Sequence, residues 1–117
     1  MKQTTPPLPE ITLAATAFAA LGSEQRLAIV RRLVRAGPAG LPMGDLGRDV
    51  GVTGSVLTHH LKQLVSAGLV KQRKDGRRIL SSIDLPAINA LSAFLVAECC
   101  ADVGWEHLEN GHGHTHD

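Results

Sequence analysis

Two adjacent cysteines, Cys99 and Cys100, are the only thiols among the 117 residues of the sequence. Thiolates are soft ligands that select soft metal or metalloid centres, and a pair of thiols can also be oxidised. Free cysteines, in contrast, often act simply as small apolar side chains in a core. Because these two stand side by side near the end of an apolar helical pattern, we interpret them as a reactive pair.

A second group of candidate functional residues is polar and basic. Six of them share the exposed face of a predicted helix: Thr53, Ser55, Thr58, His59, Lys62 and Gln63. Four more flank a predicted hairpin tip: Arg73, Lys74, Arg77 and Arg78. Hydroxyl, amide and ammonium groups can bond base edges and phosphates, and guanidinium groups suit phosphates or a minor groove. A solvated charged surface uses the same residue types, so the order of the elements has to decide between the two.

The formal net charge of +1 conceals two oppositely charged regions. Residues 26–78 contain eleven Lys and Arg against three Asp, a surplus of +8. Residues 84–117 contain six acidic residues and neither Lys nor Arg. The first region is therefore suited to a polyanionic partner, and the second is not.

Hydrophobic periodicity and helix-end signals predict five helices and one β-hairpin. The helices are expected at 11–21, 24–36, 43–50, 54–67 and from residue 84 to about 99, with strands at 69–74 and 78–83. Ser23, Thr53 and Asp84 are predicted N-caps, Gly68 is predicted to end the fourth helix, and Asp75-Gly76 is a strong signal for a short hairpin turn.

The second and fourth helices are predicted to bury one face each. The buried residues are expected to be Leu27, Ile29, Val30, Leu33 and Val34 in the second helix and Val56, Leu57, Leu61, Leu64 and Val65 in the fourth. The first helix has an apolar face formed by Ile11, Ala14, Phe18 and Leu21. Residues 1–10 are predicted to be a flexible arm, residues 11–103 one folded domain, and residues 104–117 a mobile His-rich tail.

Composition excludes several classes of protein. Aromatic residues are only 3% of the sequence, which favours packed helices over a sandwich with an aromatic core. The sequence has no apolar run of membrane-spanning length and no signal-peptide core, so we expect a cytoplasmic protein with reduced thiols and no membrane partner. It also lacks a nucleophile–base–acid set and a Gly-rich phosphate loop, so we do not expect an enzyme or a required cofactor.

A short helix, a tight turn, a longer helix and then a basic hairpin is the order of a winged helix-turn-helix domain, mainly α with a β-hairpin wing. Together with the charge asymmetry, this order predicts binding to double-stranded DNA. The chain resembles the arsenic-repressor/metallothionein-repressor (ArsR/SmtB) family over about residues 11–100. The matching segments are Leu21–Leu27, Val52–Leu64 and Ala67–Val70, with Arg73, Gly76 and Arg77 in the wing.

The resemblance implies a homodimer formed by the first and fifth helices, which binds its operator and releases it when an inducer binds. It also implies that His60 supports the recognition helix, although direct DNA contact and simple core packing stay open. The founding arsenic sensors carry a Cys-x-Cys-Asp-Leu site on the third helix, where this chain has Met43-Gly44-Asp45-Leu46. The zinc site that some members carry on the fifth helix is also absent.

Glu98-Cys99-Cys100 resembles the subgroup in which adjacent cysteines near the end of the fifth helix bind a trivalent arsenic or antimony species. Trivalent arsenic forms three bonds and each chain offers two sulfurs, so the third position is open to water, a histidine, the other subunit or a methyl group. Neighbouring side chains of a helix point about 100° apart, so we expect arsenic capture to distort the last turn of the fifth helix and, through it, the dimer interface.

The alternative is a redox-sensing or reactive-sulfur-sensing repressor on the same scaffold. The strain of a disulfide between adjacent cysteines disfavours it mildly, and relatives of that kind place their two cysteines on different helices. His112, His114 and His116 could also chelate a metal weakly.

Overall fold

The computed structural model describes residues 7–103, in which five helices surround a three-stranded antiparallel sheet. The helices are α1 (Ile11–Leu21), α2 (Glu24–Ala36), α3 (Met43–Val50), α4 (Gly54–Ser66) and α5 (Leu85–Val96). The strands are β1 (Leu41–Pro42), β2 (Val70–Asp75) and β3 (Arg78–Ile83). The mainly helical winged fold is therefore confirmed. The predicted His-rich tail and most of the predicted arm lie outside the described residues.

Helix ends follow the sequence signals in most places. The Ser23 hydroxyl accepts a hydrogen bond from the Arg26 backbone N–H at 3.2 Å, and the Asp84 carboxylate accepts one from the Ala87 N–H at 3.1 Å. Thr53 does occupy the N-cap position of α4, but its side chain makes no capping hydrogen bond there, so that part of the prediction is wrong. Gly68, at φ +80°, ends α4 as predicted.

The sheet contains one strand that the sequence pattern does not reveal. β1 pairs antiparallel with β3, with Leu41 opposite Ser81, so β3 is the central strand. The preceding Gly40 has φ +74°, and a Cβ added there would lie 2.3 Å from the Ser81 carbonyl oxygen. Only glycine allows this approach, which attaches the wing to the loop between α2 and α3.

The core consists mainly of leucine and isoleucine side chains from several elements. Those less than 2% exposed include Ile29, Leu33, Leu46, Leu61, Leu64 and Leu69. α1 contributes three alanines, Ala14, Ala17 and Ala20, whose small side chains allow close helix packing.

Four residues predicted to be buried are exposed instead. Their exposed fractions are 45% for Leu27, 44% for Val34, 54% for Val56 and 37% for Val65. Ile11, on the apolar face of α1, is 73% exposed. Each of α2 and α4 has only three buried residues, Ile29, Val30 and Leu33 in α2 and Leu57, Leu61 and Leu64 in α4, so the apolar side chains that flank them are exposed. Ile11 lies in the first turn of α1, before the buried alanines begin.

α5 ends at Val96, one turn before the predicted end at Cys99. The following residues, 97–103, form successive turns in which every second backbone N–H donates to the carbonyl three residues earlier, as in Cys99 to Val96 and Ala101 to Glu98. Within residues 7–103, no helix is long and apolar enough to cross a membrane.

Candidate nucleic-acid interface and thiol pair

The corner between α3 and α4 is tightly built. Gly51, at φ +76°, ends α3, and its N–H bonds the Gly47 carbonyl at 2.8 Å. A Cβ on Gly47 would lie 2.5 Å from the Val52 carbonyl oxygen and 3.2 Å from Leu57. The absence of a side chain at position 47 therefore lets the turn fold back onto α3, which fixes the angle at which α4 leaves the corner.

The outer face of α4 presents the polar side chains that the sequence predicted for it. Thr53, Ser55, Thr58, His59 and Lys62 are exposed, and Gln63 is half-buried. The Thr58 hydroxyl donates to the Gly54 carbonyl at 3.3 Å, which leaves its lone pairs outward. The Gln63 and His59 Nε2 atoms are 2.9 Å apart, so the Gln63 amide nitrogen is engaged by the ring and its carbonyl oxygen stays available as an acceptor.

Two of the four predicted wing cations are engaged by groups of the protein, and two have no ion-pair partner in the described part of the chain. Arg78 forms an ion pair with Asp75 at 3.0 Å, and the Arg73 guanidinium donates to the Ala39 carbonyl at 3.4 and 3.5 Å. Lys74 and Arg77 are exposed and have no ion-pair partner within the described part of the chain. Among the four predicted wing cations, these two are therefore the best placed to meet phosphates.

Sequence reasoning left one cation of the wing out of the site. Lys71 is exposed on β2, two residues before Arg73 and so on the same face of the strand. Alternation along β2 was the signal that could have identified it. Lys71 extends the basic surface from the hairpin tip towards the body of the domain.

The two cysteines lie in the turns that follow α5, and their sulfurs are 3.4 Å apart. Cys99 is exposed and Cys100 is half-buried at φ +62°. The expectation that neighbouring sulfurs would diverge by about 100° is therefore wrong, because the pair lies outside the regular helix and the left-handed backbone of Cys100 turns its side chain towards Cys99. The hydrogen bond with Cys99, followed by burial, raises the pKa of the Cys100 thiol.

Comparison with known proteins agrees with this architecture. Residues 21–73 match the family model for a helix-turn-helix domain. The chain is 34% identical over 87 residues to the HTH-type transcriptional regulator YgaV of Escherichia coli, with 74% of this chain and 86% of the relative covered. An ArsR-like transcriptional regulator from Rhodococcus has a similar structure, with a TM-score of 0.66 and 27% identity over 79% of this chain and 83% of that one.

The chain belongs to the ArsR family of winged helix-turn-helix transcriptional regulators. The homodimeric winged helix-turn-helix DNA-binding domain of Mb0332 from Mycobacterium bovis, described as a possible ArsR-family transcriptional regulator, is similar with a TM-score of 0.60 and 26% identity, and 90% of each chain is covered. The matched proteins are DNA-binding regulators and not enzymes.

In this ArsR-family regulator the recognition helix is joined to α1 by Arg26, which sequence reasoning had treated only as part of a matching segment. The Arg26 Nε donates to the Ala20 carbonyl at 2.6 Å, and its Nη1 lies 3.5 Å from the His60 Nδ1. Burial first, then the charges of Arg26 and His59, lower the pKa of His60. His60 is thus half-buried between helices, as the supporting role implied by the family would require.

Residues 7–103 of this ArsR-family regulator contain no group of three or more His, Cys, Asp or Glu side chains that could hold a metal ion. Structural zinc sites use four such ligands. Within these residues the cysteine pair therefore has no third side chain of these types grouped with it.

Proposed function

We propose that this ArsR-family regulator is a dimeric repressor that binds its operator and releases it when a trivalent arsenical binds Cys99 and Cys100. The observation that carries the proposal is the separation of 3.4 Å between the two sulfurs, in an accessible segment directly after α5. The regulator would act in the cytoplasm, where thiols stay reduced.

The separation suits trivalent arsenic better than zinc. With bonds to sulfur of about 2.3 Å, two sulfurs 3.4 Å apart subtend an angle of roughly 95° at a shared atom. A pyramidal trivalent centre has bond angles close to this value, whereas a tetrahedral zinc site has wider ones. The left-handed backbone at Cys100 therefore supplies a bite that a continuous helix would not.

Binding is a condensation in which atoms balance. Each thiol replaces one arsenic-bound hydroxyl group, so two arsenic–sulfur bonds form and two water molecules leave. Inorganic arsenite keeps one hydroxyl in the third position, and methylarsenite keeps its methyl group. Neither species requires a third protein ligand.

Operator binding is assigned to α4 and the wing. Ser55, Thr58 and Gln63 are suited to base edges, and Lys62 to a phosphate or a guanine. Thr53 and His59 lie on the same face, and Arg73, Lys74, Arg77 and Arg78 supply the charge at the wing. The helix would enter the major groove, while the wing contacts the flanking backbone.

Dimerisation is assigned to α1 and α5, whose outer faces are apolar. Ile11 and Leu13 are 73% and 62% exposed, and Leu95 and Val96 are 68% and 63% exposed. A soluble chain seldom leaves so many large apolar side chains uncovered on two neighbouring helices. Cys99 bonds the Val96 carbonyl through its backbone N–H at 2.9 Å, so a ligand on the thiols would act directly on this surface.

The second candidate function is a thiol redox switch, which the sulfur contact also supports. Peroxide would oxidise the pair to a disulfide and be reduced to two water molecules. A polysulfide would oxidise the pair to a trisulfide by leaving one of its sulfur atoms between the two thiol sulfurs, and the rest of the polysulfide would be reduced and released as hydrogen sulfide. The arsenical is preferred to the disulfide because it joins the two sulfurs at their present separation, whereas a direct bond would bring them closer in a strained ring.

Titration of a protein–DNA complex tests the proposal. A labelled duplex selected by the protein from a random pool is followed by fluorescence anisotropy while arsenite, methylarsenite, zinc, peroxide or polysulfide is added. We expect release by an arsenical, loss of release in Cys99→Ser with Cys100→Ser, and full release in the matched neighbour Glu98→Gln. Release of the double variant by the arsenical would contradict the proposal, and release by the oxidants alone would favour the redox switch.

A further inference from the structure

Arg26 joins three helices through one side chain. Arg26 lies at the start of α2, where its backbone N–H donates to the Ser23 hydroxyl. The Nε of its side chain donates to the Ala20 carbonyl near the end of α1. Its Nη1 reaches the His60 Nδ1 in the middle of α4. A planar guanidinium can hold two such acceptors at a fixed angle, which a flexible ammonium group cannot do.

The Ala20 carbonyl and the His60 Nδ1 are both able to accept a hydrogen bond from Arg26. The Ala20 carbonyl is one of the last four of α1, which have no partner inside the helix and lie at the negative end of its dipole. Because Arg26 is always a donor, the His60 Nδ1 must be the acceptor, and the ring must be neutral. The contact therefore exists only while His60 is unprotonated.

We propose that Arg26 and His60 position the recognition helix by tethering α4 to α1, and that the tether sets the affinity for specific DNA. The inference rests on the DNA-binding part of the proposed function and is independent of the thiols. The two recognition helices of a dimer must be spaced to match the two half-sites of the DNA. A change in the angle between α1 and α4 would alter that spacing and weaken DNA binding.

The adjoining groove supports a positioning role. It lies between α1 and α4, and Arg26, His59, Lys62 and Gln63 are among the residues that line it. His59, Lys62 and Gln63 lie on the face of α4 that we assign to DNA. Arg26, which belongs to α2, is therefore close to the proposed interface without being part of it. The charged and titratable groups that act on His60 are Arg26 from α2 and His59 from α4 itself.

The first test compares arginines on one helix. Arg26→Gln and Arg26→Lys are measured against Arg31→Gln, which removes an exposed charge of α2 outside the tether. With the selected duplex and no effector present, we expect both Arg26 variants to bind about tenfold more weakly, with an unchanged dependence on salt. A phosphate contact would instead lower the salt slope by about 1 in Arg26→Gln and be largely retained by Arg26→Lys, and that result would overturn the proposal.

The second test uses pH and does not depend on Arg26 variants folding. Acidification normally strengthens DNA binding because exposed histidines gain charge. The tether predicts the opposite for the wild-type protein once the pH falls below the lowered pKa of His60, and so below the ordinary histidine range, since protonated His60 loses its bond and faces Arg26 as a like charge. His60→Gln, which keeps an acceptor, should bind normally at pH 7.5 and lose this acid weakening.

Two control variants complete the pH test. His59→Gln should retain the acid weakening, and His60→Leu, which has no acceptor, should bind weakly at every pH. Identical pH profiles for the wild type and His60→Gln, or wild-type affinity in His60→Leu, would overturn the tether. None of these measurements involves an arsenical, so failure here leaves the thiol proposal intact, and the reverse also holds.

Discussion

In the DNA-facing region, residues 43–83, the helices and strands pack against nearly inaccessible side chains such as Leu46, Leu61 and Leu64. In the thiol segment, residues 97–103, every residue except Cys100 is exposed, and the backbone is held by hydrogen bonds between residues three apart. The surface proposed to match a rigid duplex is thus fixed by packing. The segment proposed to respond to a small reagent is held by weaker local bonds, so it can rearrange at little cost.

The largest expected effect comes from the packed region. Leu61→Ala removes a side chain that is 1% exposed, and we expect the free energy of unfolding to fall by about 2–5 kcal/mol. Urea denaturation followed by circular dichroism measures the change. Cys99→Ala, on an exposed residue, is the control, and an equal loss in the two variants would remove the contrast between the regions.

Wing charges give the next largest effect. Lys74→Ala combined with Arg77→Ala should reduce the salt slope of DNA binding by about 2, because these exposed cations would neutralise phosphates. Asp75→Asn should act in the opposite direction, since it releases Arg78 from its ion pair and removes an acid. Anisotropy at several salt concentrations measures both. Unchanged slopes would exclude the wing from the interface.

Loss of a helix cap should cost less. Ser23→Ala leaves the Arg26 backbone N–H without its acceptor, and we expect a loss of about 1 kcal/mol in the free energy of unfolding. Chemical denaturation at neutral pH measures it. A matched Thr53→Ala should cost less, because Thr53 makes no capping bond. A larger loss in Thr53→Ala than in Ser23→Ala would contradict the assignment of the capping bond to Ser23.

The smallest effect on stability is expected at the thiols. Cys99→Ser with Cys100→Ser should change the free energy of unfolding by less than about 0.5 kcal/mol, because the pair contributes little to packing. A loss comparable to that of Leu61→Ala would show instead that the thiols belong to the core.

The reactivity of Cys100 tests the local hydrogen bonding that distinguishes the thiol segment from the packed region. The pKa of Cys100 is raised chiefly by its hydrogen bond with Cys99, so Cys99→Ala should lower it and make Cys100 several-fold more reactive at neutral pH. Alkylation by iodoacetamide, followed by mass spectrometry across a pH series, measures the shift. Slower alkylation of the variant would contradict the contact between the sulfurs.

Much of the fold was predictable because strong signals mark the element ends. Ser23 and Asp84 cap their helices, Gly51 and Gly68 end theirs, and Asp75-Gly76 makes the hairpin turn. β1 was missed because it is two residues long and includes Pro42, which pattern reasoning treats as a break. The exposed residues of α4 were predictable from helical periodicity, although their contacts with DNA stay predictions.

The thiol geometry was not predictable from the sequence. Ala97, Glu98 and Cys99 are all compatible with a helix, so nothing in their types signals that α5 ends at Val96. A left-handed backbone without glycine, as at Cys100, has no sequence signature. The Arg26–His60 contact was equally hidden, because it joins residues 34 apart that become neighbours only when α2 packs on α4.

The short strand β1 affects how the sheet resists edge-to-edge pairing between molecules. By covering one side of β3, it leaves the sheet with two outer edges, one of them only two residues long and ending in Pro42, which has no N–H to offer. The other edge, β2, carries Lys71, Arg73 and Lys74. Charged side chains on an open edge repel approaching strands, so the cations assigned to DNA also protect the sheet against aggregation in the free protein.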